Sequence, residues 1–459
     1  MVVAELVAVE GPPGPAWADE LRRCWDRGDA VLPVDHRLPR PAVDALYAAL
    51  RPTAVVTAGE GNVTARSDGR LAEPGDALVL ATSGTTGAPK GVVLTQHAIE
   101  ASARATSARL DIDPALDTWL CCLPLAHAGG LGVLTRAMIT STPVVVQGRF
   151  DARELAAEAA RLRSAGRRVC VSLVATALRR VDPAWFRVVL LGGDAPPTWG
   201  ARIWGAPAWA PTGAAPTQRA AGGAPAGAPA GAPAPLGAPT GAPTAGATAG
   251  ATAGAPTAGA PAWGDGRPPS VVVTYGMTET GGGCVYDGRP LDGVSVVVVD
   301  GQIMVRGPLL ARAYRSAGAD QPLVDLCDLT GGSEVGDDGW FATGDGGRWD
   351  GNGRLVVDGR LGDVIVTGGE KVWPAPVESV LRTCPGVAAV AVIGRADLEW
   401  GERVVAMVVP ADPSNPPTLG ALRAAVCEHL PAWAAPKQIE LVAALPTTAL
   451  GKLKRGELR

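Results

Sequence analysis

Two short apolar runs, residues 78–80 and 92–94, bracket the segment Thr82-Ser83-Gly84-Thr85-Thr86-Gly87-Ala88-Pro89-Lys90. Runs this short on either side of a glycine-bearing stretch predict strand, turn, strand. Glycine lets the backbone take φ > 0 and brings its N–H groups close to a ligand. Thr82, Ser83, Thr85 and Thr86 add hydroxyls, and Lys90 adds a mobile positive charge. Such a loop suits a polyphosphate. It is not a Walker A loop, because Ala88 and Pro89 separate Gly87 from Lys90. Taken alone, it also fits an ordinary flexible turn.

The remainder of the chain supplies context for that loop. Helical spacing over 17–25 and 41–50 alternates with strand-like runs at 30–35 and 53–57, which predicts an α/β layer. Beyond the loop, helical spacing at 97–110, 132–139 and 152–165 alternates with apolar runs at 118–124, 143–146, 169–174 and 188–191. That alternation argues for a mostly parallel sheet covered on both faces. Residues 205–262 break the pattern with Gly-Ala-Pro and Thr-Ala-Gly units that carry almost no charge and no large apolar periodicity. Such units cannot bury enough surface to offset ordering entropy, so this stretch is expected to be a disordered insertion in a strand connection. A strand at 270–275 follows, then hairpins around Asp300-Gly301 and around residues 350–353. After a joint at 359–363, the last hundred residues read as a small α+β unit.

With 459 residues the chain can hold two or three domains. A net charge of −4 gives no basic field for nucleic acid or an anionic membrane. No 18-residue apolar window and no basic leader stand out, so a cytoplasmic protein is expected. The eight cysteines are scattered without a C-x-x-C pair and there are four histidines, which argues for reduced, mostly buried thiols rather than a zinc site.

Several further motifs carry chemistry. Thr274-Tyr275-Gly276-Met277-Thr278-Glu279 ends a strand with a flat ring, hydroxyls and a carboxylate. Tyr275 could pack on a purine, Thr278 could bond phosphate, and Glu279 could hold Mg²⁺, which takes few protein carboxylates plus phosphate oxygens. Thr343-Gly344-Asp345 reads as a turn with a carboxylate. His127 precedes Gly129-Gly130, in a loop expected to lead into the helix at 132–139. Lys452, Lys454 and Arg455 could form an ordinary basic tail.

In order and spacing these motifs resemble the adenylate-forming (AMP-binding) superfamily of acyl-CoA synthetases, peptide-synthetase adenylation domains and luciferases. The resemblance covers nearly the whole chain outside the insertion, although the N-terminal region is short for an acyl-CoA synthetase. It implies an α/β and α+β fold: a large domain, 1–361, of parallel-type sheets layered with helices plus a β-rich subdomain, and a small mobile α+β domain, 362–459. It implies that Thr82, Ser83, Gly84, Thr85, Thr86, Gly87 and Lys90 hold phosphates. Gly193 lies on the adenine side, and Tyr275, Gly276 and Thr278 line the nucleotide. Glu279 is the metal carboxylate, and Asp345 and Arg360 serve ribose or phosphate. His127 borders the acyl pocket, and Lys452 is the catalytic lysine of the C-terminal domain. Gly369 belongs to a loop that enters for the thiol step. Asp194 departs from the small residue usual beside Gly193, and Gly362 replaces the usual hinge side chain, with Asp363 as a substitute latch. Lys454 and Arg455 are expected to be solvated.

Within the superfamily the nearest resemblance is to the o-succinylbenzoate–CoA ligases of menaquinone biosynthesis. It rests on residues 172–180 and on Tyr275 through Gly288. Such a substrate carries a second carboxylate, for which Arg136 is a candidate by position. The implied ligands are ATP, Mg²⁺, CoA and a small carboxylic acid, with no nucleic acid and no membrane span; a homo-oligomer is left open. Other acids, a carrier-protein thiol, or a catalytically silent nucleotide-binding protein are the alternatives.

Overall fold

Short β-rich segments with valine, leucine and alanine on both faces build the centre of the molecule, as expected of strands buried between helices. The computed structural model describes residues 4–83, 89–192, 270–316, 324–325, 339–447 and 453–458. The insertion expected at 205–262 lies outside them.

Among the described residues the strands form four sheets. In the first, Leu6–Glu10, Ala30–Pro33 and Ala54–Thr57 run parallel, and Asp76–Ser83 joins parallel to Ala30–Pro33. Asp76–Ser83 then turns back into Pro89–Thr95, with Thr82 opposite Lys90. These are the two strands expected on either side of the opening motif; residues 84–88, where the turn is expected, lie outside the described residues. The strand Ala313–Arg315 adds antiparallel on the far side of Pro89–Thr95, placing Tyr314 opposite Val92.

The second sheet has a parallel centre of Val144–Val146, Asp117–Cys121, Arg168–Val174, Val188–Gly192 and Ser270–Met277. Gly282–Tyr286 closes one side antiparallel. The helix Gln96–Arg109 is capped by the Thr95 hydroxyl, and Ala152–Ser164 by Asp151. Ala152–Ser164 turns Leu155, Ala159 and Leu162 inward, as its spacing predicts.

The third sheet is antiparallel: Ser295–Val299, Gln302–Arg306, Phe341–Trp349 and Leu355–Arg360. Asp300 and Gly301 both have positive φ, as a two-residue hairpin turn requires. The fourth sheet contains Ile365–Thr367, Glu370–Val372, Val387–Asp397, Gly401–Pro410 and Gln438–Leu441. The helices Pro374–Leu381 and Leu419–His429 pack their buried valines and leucines into its core. Mixed α/β and α+β architecture is therefore what the chain adopts.

Three expectations change. The helix after His127 begins at Ala128, so Gly129 and Gly130 lie inside it rather than in a loop. A Cβ at Gly130 would collide with the carbonyls of Leu123 and Pro124, so the glycine permits a close approach of helix to backbone. Thr343-Gly344-Asp345 lies within the strand Phe341–Trp349 rather than in a turn. Arg455 is not solvated: its guanidinium bonds Glu378 at 2.7 Å and the Val392 carbonyl at 2.9 Å, and it lies 3.4 Å from Asp363. Glu378 is buried, so it draws the tail inward, while Lys454 stays exposed and pairs with Glu457.

The thiols follow the expectation. Cys24, Cys121, Cys122, Cys170 and Cys284 are free and buried, and burial pushes each up to about 12. Cys427 is free and exposed, and Cys327 lies outside the described residues. No helix among the described residues is long and apolar enough to cross a membrane.

Candidate active site

Five of the expected residues, Lys90, Tyr275, Glu279, Asp345 and Arg360, come together where the first three sheets approach one another. Lys90 sits at the start of Pro89–Thr95, on the same strand face as Val92 and therefore beside Tyr314 of the neighbouring strand. Its Nζ lies 3.7 Å from the centre of the Tyr314 ring. The Tyr314 hydroxyl donates to Glu279 Oε1 at 2.6 Å. Glu279 occupies the 3₁₀ turn Thr278–Thr280 that ends the strand Ser270–Met277, and the Ala311 amide fixes this turn by donating to the Glu279 carbonyl.

Earlier on that strand, the Tyr275 hydroxyl donates to Asp345 Oδ2 at 2.8 Å. Asp345 faces Arg360 across the strand pair Phe341–Trp349 and Leu355–Arg360, and Arg360 Nε lies 3.0 Å from Asp345 Oδ1. Arg360 also donates to the Thr343 carbonyl. Gly276 is required between these groups, because a Cβ there would strike the Gly282 carbonyl. Two short chains of contacts result: Lys90–Tyr314–Glu279 and Tyr275–Asp345–Arg360.

Electrostatics joins the two. Burial pushes the Tyr314 hydroxyl up, Glu279 pushes it further, and the Arg360 charge pulls it back. Burial likewise raises Tyr275, with the Asp345 charge adding to it. Both phenols therefore stay protonated and serve as donors to carboxylates. Sequence reasoning missed Tyr314. The chain has only four tyrosines, and a lone aromatic between Arg312 and Arg315 was the available signal.

The acid side is built differently. A pocket between the helices Gln96–Arg109 and Ala128–Ile139 is lined by Leu80, Leu94, Ser102, Leu131 and Arg136, and Gly281 forms part of its wall. Arg136 is buried, with its guanidinium 4.8 Å from the Trp119 ring. Its Nε and Nη1 are buried and find no hydrogen-bond partner among the described residues. Burial lowers its pKa, yet a guanidinium remains charged at neutral pH. His127 caps the helix Ala128–Ile139, with Nε2 3.7 Å from Asp35 Oδ2. Asp35 is held below the usual carboxylate range chiefly by the Arg37 guanidinium, with His127 contributing. Asp35 was also missed, because it lies just after the strand Ala30–Pro33 of the first sheet, 92 residues before the histidine.

Other expected residues fall elsewhere or are not described. Thr82 lies at the end of Asp76–Ser83, its hydroxyl 3.4 Å from the Lys90 carbonyl, and Ser83 ends the strand. Gly84, Thr85, Thr86, Gly87, Gly193, Asp194 and Lys452 lie outside the described residues. Thr278 is half-buried beside Glu279. Gly368 and Gly369, both at positive φ, turn the hairpin of Ile365–Thr367 and Glu370–Val372. No group of three or more histidine, cysteine or carboxylate side chains that could hold a metal occurs among the described residues.

Comparison with known proteins agrees with this architecture. The AMP-binding enzyme family matches residues 4–315, and the AMP-binding enzyme C-terminal domain matches residues 376–452. A probable 2-succinylbenzoate–CoA ligase of Mycobacterium tuberculosis is 38% identical over 419 residues, 88% of this chain and 89% of that protein. The 2-succinylbenzoate–CoA ligase of Listeria monocytogenes serotype 4b is 29% identical over 397 residues, 83% of this chain and 69% of that one. Among solved structures, the o-succinylbenzoate CoA synthetase of Bacillus subtilis with its acyl-adenylate intermediate superimposes with a TM-score of 0.71. It is 23% identical, and the match covers 99% of this chain and 88% of that one. The ATP-bound MatB of Rhodopseudomonas palustris also reaches 0.71 at 21% identity, covering 100% and 89%, so structural likeness here speaks to fold and not to substrate. Shared architecture, the two matched family regions and 38% identity along most of its length make this chain a member of the AMP-binding enzyme family.

Proposed function

We propose that this protein is an AMP-forming acid–CoA ligase that converts 2-succinylbenzoate to 2-succinylbenzoyl-CoA for menaquinone biosynthesis. The observation that carries the acid assignment is Arg136, a buried guanidinium with two donors unsatisfied beside an otherwise mainly apolar pocket. The cavity as it stands is only about water-sized, so an aromatic acid with a second carboxylate would complete those bonds once the lining side chains part to admit it. The 2-succinylbenzoate–CoA ligases among the relatives support the same choice.

In the first step a carboxylate oxygen of the acid attacks the α-phosphorus of ATP. The bond to the β-phosphate oxygen breaks, and pyrophosphate leaves with the electron pair. No general base is needed, because the attacking carboxylate is already ionised at neutral pH. The loop 82–90 with Lys90 would hold the phosphates, Tyr275 and Gly276 would flank the nucleotide, and Asp345 with Arg360 would take the ribose. His127, oriented by Asp35, would help place the carboxylate. Glu279 with phosphate oxygens is a donor set suited to Mg²⁺, which takes one or two protein carboxylates and dehydrates reluctantly. Bound there, Mg²⁺ would offset the charge of the phosphates. Lys452 would steady the transferring group, where preorganised charge lowers the barrier.

In the second step the CoA thiolate attacks the acyl carbon, and AMP leaves with the electron pair. A domain division at 361/362 would let this step follow a swivel about residues 360–363, which would withdraw Lys452 and bring in the Gly369 loop. A monomer or homo-oligomer in the cytoplasm, with no nucleic-acid partner, fits this reading.

Mass spectrometry of products from ATP, Mg²⁺, CoA and 2-succinylbenzoate tests it. The acyl-CoA and AMP are expected. Lys452→Ala should abolish adenylate formation while sparing thioester formation from supplied acyl-adenylate. No pyrophosphate exchange with any acid in a broad panel would overturn the proposal.

A further inference from the structure

Tyr314 touches two of the charges assigned to MgATP without itself belonging to the loop or to the strand-end motif. Its ring carries Lys90 on one side, and its hydroxyl holds Glu279 at the other end. One side chain therefore engages both an ammonium, on its ring face, and a carboxylate, at its hydroxyl. Both charges sit on long, flexible side chains, and opposite charges a few ångströms apart attract strongly near a protein surface.

We propose that Tyr314 is a positioning residue that keeps Lys90 and Glu279 from closing on each other before nucleotide arrives. A direct Lys90–Glu279 ion pair would consume the cation meant for phosphate and the anion meant for the metal. Tyr314 replaces that pair with two contacts to a neutral side chain that a nucleotide can exchange: a cation–π contact for the lysine and a single charge-assisted hydrogen bond for the carboxylate. Only Oε1 of Glu279 is committed to the phenol.

Three features make the spacer rigid. Tyr314 is buried and lies in register opposite Val92, two residues along the strand from Lys90. Arg315, the next residue, is buried and donates to the carbonyls of Leu50, Arg51, Arg70 and Leu71, so the short strand cannot slide. The Ala311 amide holds the Glu279 backbone from the same segment, so spacer and carboxylate move together.

The inference rests on the nucleotide roles proposed above for Lys90 and Glu279. Its test uses the full chain and equilibrium binding of ATP by calorimetry, with and without Mg²⁺. Tyr314→Phe keeps the ring and loses the hydroxyl. It should bind Mg-free ATP within about twofold of wild type, yet lose about tenfold in affinity when Mg²⁺ is present, because Glu279 is no longer aimed. Tyr314→Leu removes the spacer and should lose about tenfold for Mg-free ATP as well.

The diagnostic variant is Tyr314→Leu with Glu279→Gln. Deleting the carboxylate removes the partner that captures Lys90, so Mg-free ATP affinity should return to that of Glu279→Gln alone. A packing role would show no such rescue. A double variant as weak as Tyr314→Leu, or a Tyr314→Leu protein that binds Mg-free ATP normally, overturns the inference and leaves the ligase assignment standing. If the leucine variant does not fold, an unchanged Mg²⁺ dependence in Tyr314→Phe overturns it. Wild-type protein that binds no ATP overturns both.

Discussion

The proposed nucleotide side and the proposed acid side of this molecule handle charge in opposite ways. On the nucleotide side each charged group has a partner within the protein: Lys90 lies on Tyr314, Glu279 accepts from Tyr314, and Asp345 is shared by Tyr275 and Arg360. On the acid side Arg136 is buried with two donors unbonded. Leaving a buried donor unsatisfied costs about 1–3 kcal/mol, and more when the group is charged. The first region is poised by mutual restraint and would exchange internal contacts for those of a nucleotide. The second holds an unmet demand that only the right substrate would satisfy. On the proposed reading, that difference separates a site for a ligand common to the whole family from a site for the acid peculiar to one branch of it.

Removing Arg136 should break this contrast most visibly. Arg136→Met is expected to lower kcat/KM for 2-succinylbenzoate by about 100-fold to 1,000-fold, because the second carboxylate would be left buried and unpaired. Thermal stability should hold or rise, since the variant removes an uncompensated buried charge. A melting temperature well below wild type would mean that Arg136 serves the fold, and the contrast would fail.

Asp345→Ala should behave the other way. It strips the acceptor from Tyr275 and Arg360 at once. We expect the KM for ATP to rise about tenfold or more and stability to fall by about 1–2 kcal/mol in denaturant unfolding. An unchanged ATP KM would remove Asp345 from the nucleotide side.

The smallest effect concerns alkaline pH. Tyr275 and Tyr314 have folded pKa values above the ordinary 10.0, raised first by burial. Above that pH the unfolded chain releases phenolic protons that the native state keeps. The native state then binds more protons, so stability falls as pH rises. This contribution is complete below pH 10 and is lost through the more alkaline range. Urea unfolding at several pH values should show the decline, and Tyr275→Phe with Tyr314→Phe should make it shallower. An identical slope in the double variant would count against these two phenols as its source.

Local signals explain what the sequence made readable. The hairpin that carries Lys90 follows from apolar runs on either side of a glycine loop, and the helix Ala152–Ser164 from three inward residues at helical spacing and an aspartate cap. Contacts set by distant pairing were not readable. Tyr314 meets Lys90 only because Ala313–Arg315 docks on a strand more than 200 residues earlier. Arg455 looked like a solvated tail residue because Glu378, its buried partner, lies 77 residues away. Gly129-Gly130 read as a loop because glycine disfavours helices, whereas Gly130 is needed where the helix crosses the Leu123 and Pro124 carbonyls. For Tyr314 and Arg455 a partner remote in the chain overrode a sound local inference; for Gly130 the deciding contact lies only six or seven residues back, but it is a packing contact that helix propensity does not register.

Arg315 has a consequence for which parts of the molecule can be trimmed. Its guanidinium gathers backbone oxygens from Leu50, Arg51, Arg70 and Leu71, none of which offers a side chain to the chemistry. Because the recognition is of main-chain oxygens, these bonds depend on the path of the backbone and not on which side chains stand there; Leu50 is fixed separately, by its place in the core. A one-residue deletion between 50 and 71 would be felt some 265 positions later, beside the proposed nucleotide site.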